Sequence, residues 1–326
     1  MGKLSRPRRG SLQFYPRKRA ARRIHRINFY PIKKYSQDTI LGFLTYKVGM
    51  GSAIVKDLTD KSLTANKRIV VPVTILEAPS MKIFSVRFLK YNKAIKEIIV
   101  SNEKELKRKT NIPETLSDFE KSLPKSEDYE DIQLIVYSLA KQTSVKKTPD
   151  ILELAISGDN KESKLAFAKS MIGKEISLTD FLKSVNPENN LVDVRGVTKG
   201  KGLSGPVKRY GITLRNHKAE KGVRSVGSIS PWHPPRVTFR VPRAGQLGLF
   251  SRISYNHKLV SSGLISEKDI NPDHGFSKYG KVKTAYLLVK GSVPGPNKRV
   301  VVITPPQRPT KLRSKRKLEF IQLITK

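Results

Sequence analysis

Gly200-Lys201-Gly202-Leu203-Ser204-Gly205 fits the pattern G-x-G-x-x-G and follows an apolar run, Leu191–Val197. In a dinucleotide site that pattern opens a helix whose N-terminus meets the pyrophosphate, and an acid about 20 residues on binds the ribose. Pro206 and the β-rich Tyr210-Gly211-Ile212-Thr213 argue against a helix here, and only Glu220 stands near the required acid. In the competing reading the glycines let backbone approach phosphates closely. Lys199, Lys201, Lys208 and Arg209 then supply the charge. The five histidines, His25, His217, His233, His257 and His274, show no metal-ligand spacing with one another or with a carboxylate. There are no cysteines, which removes disulfides, thiolate zinc sites and thiol nucleophiles together. No Ser/His/Asp order or carboxylate pair stands out in the basic regions. These patterns argue against an enzyme, and no cofactor, metal or small-molecule substrate is expected.

The chain has 326 residues and a formal net charge of +37. Such a charge is self-repelling unless a polyanion neutralises it, and a domain with pI above about 9 carries the footprint of nucleic-acid binding. A membrane surface is the other polyanion, but no basic amphipathic helix is long enough to lie on one. No apolar run approaches the roughly 18 residues of a span, and no apolar segment follows the basic N-terminus as in a secretory signal. No membrane association is expected, and the lack of cysteine fits a reducing compartment.

The charge is segregated. Residues 1–37 hold 12 Lys and Arg and no acid, whereas residues 101–190 hold 14 Lys and Arg and 16 of the 27 acids. The near-neutral block reads as a solvent-facing α/β insertion, and the rest reads as facing RNA or DNA. Helices are expected at Glu103–Arg108, Thr115–Ser122 and Lys161–Met171, with a capping box at Ser177 to Asp180. Strands are expected at Ile132–Leu139 and Ile151–Ile156. Residues 38–100 and 191–305 read as the body. Its short strands, bounded by Gly, Pro or Asn, are Thr39–Lys47, Ser52–Asp57, Arg68–Glu77, Lys82–Lys90, Lys96–Val100, Leu191–Val197, Val237–Val241, Val282–Val289 and Arg299–Ile303. This punctuation suggests a closed barrel. Residues 1–37 form a basic N-terminal extension, disordered when alone, or else a localisation signal or solvated tail. Residues 306–326 form a basic tail ending in a short apolar strand or hook, Leu318 to Thr325.

Between Asp193 and Glu267 the only acid is Glu220, and the only tryptophan lies there, in Ser230-Pro231-Trp232-His233-Pro234-Pro235. Prolines supply no ladder hydrogen bonds, so the segment reads as a stiff loop. A long loop of this kind, 217–248, is functional or disordered, and an RNA-penetrating finger that orders on binding is expected.

Val192-Asp193-Val194-Arg195-Gly196-Val197-Thr198-Lys199-Gly200-Lys201-Gly202, with Gly205 and Lys208-Arg209, resembles the signature of the large-subunit ribosomal protein L-three family. Trp232-His233-Pro234, Arg243-Ala244-Gly245-Gln246, Ser254-Tyr255-Asn256-His257-Lys258, Ser5 to Leu12 and Val289 to Gly295 are similar to its archaeal and eukaryotic branch. The chain departs from eukaryotic relatives at Lys218-Ala219-Glu220-Lys221-Gly222, which lacks their histidine, so a modification known there is not carried over. The resemblance implies a mainly β fold, a translation-protein-type β-barrel with an α/β insertion, a long N-terminal arm and a central loop extension. It implies a non-catalytic cytoplasmic constituent of the ribosome. Such a protein binds large-subunit rRNA near its 3′ end, acts early in assembly, neighbours other large-subunit proteins and extends Trp232 toward the peptidyl transferase centre. The RNA-binding residues expected on the arm are Arg6, Arg8, Arg9, Arg17, Lys18, Arg19, Arg22 and Arg23. Lys199, Lys201, Lys208 and Arg209 follow at the glycine motif. On the extension stand Arg215, His217, Lys218, Lys221, Arg224, Trp232, His233, Arg236, Arg240 and Arg243, and beyond it Arg252, His257 and Lys258. The alternative is a general basic RNA chaperone or a chromatin-type nucleic-acid-binding protein.

Overall fold

The computed structural model describes residues 9–32, 38–116, 118–158, 160–185, 190–230 and 232–325. Among them the strands are β1 (Phe43–Asp57), β2 (Arg68–Ala78), β3 (Met81–Lys90), β4 (Lys93–Ile99), β5 (Asp131–Ser138), β6 (Ile151–Ala155), β7 (Leu191–Val197), β8 (Leu203–Ser204), β9 (Gly245–Gln246), β10 (Ser251–Leu264), β11 (Ala285–Lys290), β12 (Val300–Thr304) and β13 (Leu318–Ile324). The helices are α1 (Lys161–Met171), α2 (Leu178–Val185), α3 (Pro206–Tyr210) and α4 (Lys311–Ser314). The protein is therefore mainly β, as its Val/Ile-rich punctuated runs require. No helix among the described residues is long and apolar enough to cross a membrane. The chain divides into a larger unit, Arg23–Gly196 with Arg252–Lys326, and a smaller one, Met1–Arg22 with Val197–Ser251.

In the larger unit one sheet runs β12-β7-β10-β11-β2-β1-β13, and β12 also pairs with β1, so the pairings close on themselves. The closing register sets Phe43 opposite Ile303 and Tyr46 opposite Val300. Strand β1 runs through Gly49-Met50-Gly51, where the sequence suggested a break. A register shift between Lys47 and Gly49 absorbs the extra residue.

A second sheet is ordered β4-β3-β5-β6. The sequence reading kept Lys82–Lys90 and Lys96–Val100 in the body and began the insertion at 101. Instead β3 leaves the first sheet at Met81, pairing Met81 with Ser138 and Leu89 with Asp131. Alternation announces a strand but not its sheet. The two sheets share one core, joined by polar contacts. The Tyr46 hydroxyl lies 2.7 Å from Ser138 Oγ and donates to Asp150 at 2.8 Å. The Leu41 amide donates to Ala155. Half of the expected capping box forms: Ser177 Oγ accepts the Asp180 amide, and it donates to the Asp180 carboxylate at 2.6 Å. Of the other expected helices, Glu103–Arg108 yields one 3₁₀ turn, Leu106–Arg108, and the described part of Thr115–Ser122 only turns.

Parts of the N-terminal extension and of the C-terminal tail are held by the larger unit, and the strand expected at Leu318 to Thr325 forms as β13. Ile27, Phe29 and Ile32 of the N-terminal extension are buried in the core, because three large apolar residues gain more from burial than from solvated disorder. The basic tail is also tied down. Asp193 Oδ2 accepts the Gln307 amide, Asn256 Nδ2 donates to the Arg308 carbonyl, and Arg313 donates to the carbonyls of Tyr255 and Asn256.

Glu77 on β2 is fully buried and, among the described residues, forms no ion pair. Its carboxylate accepts the Tyr279 hydroxyl, the amides of Lys283 and Thr284, and the Thr284 hydroxyl. It pins the 279–284 segment onto the sheet. Glu77→Gln turns one acceptor oxygen into a donor facing donors, and is expected to cost about 1–3 kcal/mol of stability. Denaturant midpoints of the two proteins check this, and equal midpoints contradict it.

Candidate nucleic-acid interface

The smaller unit is built on a hairpin base. Thr198 and Phe250 exchange hydrogen bonds, the Lys201 amide donates to Leu247, the Leu247 amide to Gly202, and β8 pairs with β9. Gly248 has φ +73°, and a Cβ there would lie 2.1 Å from the Lys199 carbonyl oxygen, so only glycine lets the two legs meet. Residues between these legs form the extension.

Contrary to the sequence reading, a helix follows the glycine motif. Pro206 sits in the first turn of α3, where its missing N–H would have no partner anyway. Gly211 ends the helix in the left-handed conformation after five residues. So short a helix carries little dipole, and the strands paired beside it, β8 and β9, run antiparallel, so the dinucleotide reading gains nothing. A Cβ at Gly202 or Gly205 would meet no atom within 4 Å, which leaves that backbone open to an outside ligand.

A knot of aromatic and guanidinium groups ties the N-terminal segment to this base. The Arg17 guanidinium stacks 4.3 Å from the Tyr210 ring centre and 5.4 Å from that of Tyr15. Its Nη1 donates to the Arg209 carbonyl, and the Tyr15 and Tyr210 hydroxyls are 2.6 Å apart. Arg209 lies 5.2 Å from the same Tyr210 ring and donates to the carbonyls of Gln246 and Arg243. Tyr15 meets Phe239 edge-on at 5.6 Å, and the Ala20 amide donates to Leu249. Desolvation, then the Tyr15 hydrogen bond, push the Tyr210 phenol pKa up. Sequence reasoning missed Tyr15 and Tyr210 as a pair, since nothing local links residues so far apart.

The expected contact residues separate into two groups. Arg9, Lys18, Arg19 and Arg22 are exposed, as are Lys199, Lys201 and Lys208. So are Arg215, His217, Lys218, Lys221, Arg224, His233, Arg236, Arg240 and Arg243 of the extension. Trp232 is 88% exposed, and the His233 ring lies beside it, edge-on at 6.4 Å. Val237–Val241, expected as a strand, is turn and loop with Phe239 exposed. Arg17 and Arg209, by contrast, are half-buried and committed to the knot. Arg6 and Arg8 lie outside the described residues. The smaller unit holds nineteen Lys and Arg against one acid, Glu220.

Arg23, Arg252, His257 and Lys258 belong to the larger unit. Arg23 is exposed and Arg252 half-buried. Lys258 is buried, and burial lowers its pKa. Both His257 ring nitrogens are engaged by the protein, Nδ1 with the Lys290 carbonyl and Nε2 with Ser254 Oγ. Asn256 and Lys258 on either side of it are buried while His257 is half-buried, which the sequence run did not reveal. Burial, then the nearby Arg313, push the His257 pKa down against the Lys290 carbonyl and Asp193. The unfolded chain takes up this proton below about pH 6.5 while the native state resists it. The contribution is therefore present above that pH and is lost as pH falls through the depressed native value. The stability advantage of wild type over His257→Gln is expected to be flat above about pH 7 and to shrink toward pH 5; a pH-independent difference in thermal midpoint contradicts it. Cations also crowd at Lys290, whose pKa is lowered by burial and by Arg316 and Arg313, and at Arg299, lowered by burial and by Arg23. Charge alone did not distinguish these two in the sequence.

The family model described as Ribosomal protein L3 matches residues 1–324. A large ribosomal subunit protein uL3 from Methanobrevibacter smithii is 41% identical over 318 residues, covering 93% of this chain and 92% of that protein. The uL3 proteins of Methanocaldococcus jannaschii and Pyrobaculum aerophilum are each 40% identical over 322 residues, covering 94% of this chain and 92% and 93% of theirs. A basic, mainly β chain that matches along almost its whole length belongs to the ribosomal protein L3 family of large-subunit structural proteins, which are not enzymes.

Proposed function

We propose that this protein is a structural constituent of the large ribosomal subunit in the cytoplasm and binds large-subunit rRNA directly, near its 3′ end. The carrying observation is the smaller unit. It holds one acid among nineteen Lys and Arg and commits two of those cations, Arg17 and Arg209, to its own knot. The cations left exposed neutralise phosphates, and the open backbone at Gly202 and Gly205 admits a close phosphate. The closed pairing of the first sheet acts as a barrel that carries the extension. The second sheet with its helices, residues 81–185, is the solvent-facing insertion. Coupling of extension order to RNA binding places the protein early in subunit assembly. Neighbouring large-subunit proteins are its other partners. The extension reaches toward the peptidyl transferase centre, with Trp232 contributing stacking and shape at its tip rather than chemistry.

Competition separates this reading from a general RNA chaperone or chromatin-type protein. A structured large-subunit rRNA fragment is expected to displace labelled rRNA far better than duplex DNA of equal length; equal competition favours the alternative. Deleting residues 225–240 is expected to leave rRNA binding largely intact, less the contacts of Arg236 and Arg240, and to impair tRNA accommodation or elongation by the resulting subunits. Unchanged elongation removes the role assigned to the tip, and Trp232→Ala then isolates the ring from the charge along the stem.

A further inference from the structure

The C-terminal tail carries a second concentration of charge, outside the smaller unit. Residues 308–317 hold six Lys and Arg and no acid. This stretch crosses one end of the first sheet and is pinned on both sides of it. Arg313 Nη1 donates to the carbonyls of Tyr255 and Asn256 on β10, at 3.0 and 2.9 Å. The Lys317 carbonyl accepts the Leu58 amide just past β1, and the Lys317 amide donates to the Thr59 hydroxyl. The strand order is β10-β11-β2-β1, so the chain from Arg313 to Lys317 passes the end of β11, where Lys290 stands. Lys290 lies opposite Val73. Opposite residues of an antiparallel pair share a face, so Lys290 turns toward the face on which Val73 is buried. Its backbone is fixed: the Lys290 carbonyl meets His257 Nδ1 at 2.9 Å, and the Gly291 amide donates to Pro72. Lys290 and Arg316 are half-buried, and Arg313 is exposed. Burial, then Arg316, lower the Lys290 pKa; Asp57 pulls the other way. The Asp57 carboxylate, however, is taken by the Thr59 amide and the Ser62 and Thr64 hydroxyls. Among the described residues, Lys290, Arg313 and Arg316 form no ion pair.

Half-buried cations gathered without a carboxylate repel one another and cost stability. An apolar side chain at position 290 would avoid that cost. We propose that Lys290, Arg313 and Arg316 form a second phosphate site, which holds a backbone phosphate of a large-subunit rRNA strand. Phosphate oxygens accept both the forked donors of a guanidinium and the point charge of an ammonium. Arg313 is held in place through Nη1, which leaves its Nη2 and Nε as donors. The exposed Lys311, Lys315 and Lys317 flank the three. An RNA strand brings a phosphate at every nucleotide and meets such a run in succession. An acidic protein segment would need carboxylates at matching spacing. The site rests on rRNA binding by this protein and adds a contact on the larger unit to those of the smaller one.

Lys290→Met keeps the aliphatic stem and removes the charge. The free full-length variant is expected to melt about 2 °C above wild type, because repulsion at the site is relieved. Its affinity for a large-subunit rRNA fragment is expected to fall about tenfold, and its slope of log affinity against log salt to shrink by about one. Arg316→Gln is expected to lose affinity likewise, and Lys290→Arg to retain it. Unchanged affinity in Lys290→Met and Arg316→Gln, or a melting point that falls along with affinity, overturns the proposal. The chain has no cysteine, so Leu312→Cys, at a position 87% exposed, takes a single iron–EDTA probe beside Arg313. Radicals from it are expected to cut the bound fragment at one short stretch, and Lys290→Met to abolish those cuts. A fragment that stays bound but uncut assigns the cations to free phosphate or to an acidic protein segment. That result also overturns the site, while rRNA binding by the smaller unit stands. A wild-type chain that fails to bind the fragment removes that reading and this one together.

Discussion

Affinity for a large-subunit rRNA fragment is expected to fall by about 10³- to 10⁵-fold between 50 and 200 mM salt, the loss that follows from about six to ten phosphate contacts. The exposed cations of residues 9–22 and 199–243 are more than enough to make that many. With Glu220 the only acid in the unit, almost no internal pairing must be broken before they meet phosphate. Each counterion released adds to the slope of log affinity against log salt. Arg224→Ala, at an exposed position, is therefore expected to reduce that slope by about one. Arg17→Ala is expected to weaken binding through loss of local order, with little change in slope, because its guanidinium already serves Tyr210 and the Arg209 carbonyl. A flat salt response removes the electrostatic account altogether. A slope change in Arg17→Ala equal to that in Arg224→Ala removes the distinction between the two kinds of arginine.

Replacing Tyr210 with alanine is expected to release residues 9–22 from the hairpin base. The ring is buried, stacked by two guanidinium groups and bonded to the Tyr15 hydroxyl. Truncating a buried aromatic costs about 3–5 kcal/mol, and here it also leaves Arg17 and Arg209 close together with no ring between them. Tyr210→Phe keeps the ring and loses the hydroxyl contacts to Tyr15 and Arg209, at a cost of about 1 kcal/mol. Hydrogen exchange of the Ala20 amide, bonded to Leu249, reads the effect directly. It is expected to become fast in Tyr210→Ala and to stay slow in Tyr210→Phe, with the melting of the larger unit unchanged. Slow exchange in both variants contradicts the knot.

The strands were legible where alternation and burial agree. Leu191–Val197 and the helix Lys161–Met171 fall where periodicity puts them. Strand β10 was not legible, because it turns Asn256 and Lys258 inward and Tyr255 outward, inverting the usual sign. The change of sheet at Met81 was invisible, since pairing partners lie far away in the sequence. At the candidate interface, charge and exposure were legible along the extension. Charge did not reveal that Arg17, Arg209 and His257 face the protein's own carbonyls and rings. Pro206 was read as a helix breaker by identity, whereas its position in the first turn made it compatible with α3.

The closed pairing of the first sheet also fixes an order of events during synthesis. Thr45 on β1 donates to the Val301 carbonyl, 256 residues away, and β1 gains its second neighbours only from β12 and β13. Strand β2 follows β1 almost at once, but the opposite edge of β1 stays open until β12 and β13 have been made. Long-range closure of this kind is slow and exposes edges to wrong partners. Between the synthesis of β2 and that of β12 a strongly cationic chain therefore carries one unpaired edge of β1.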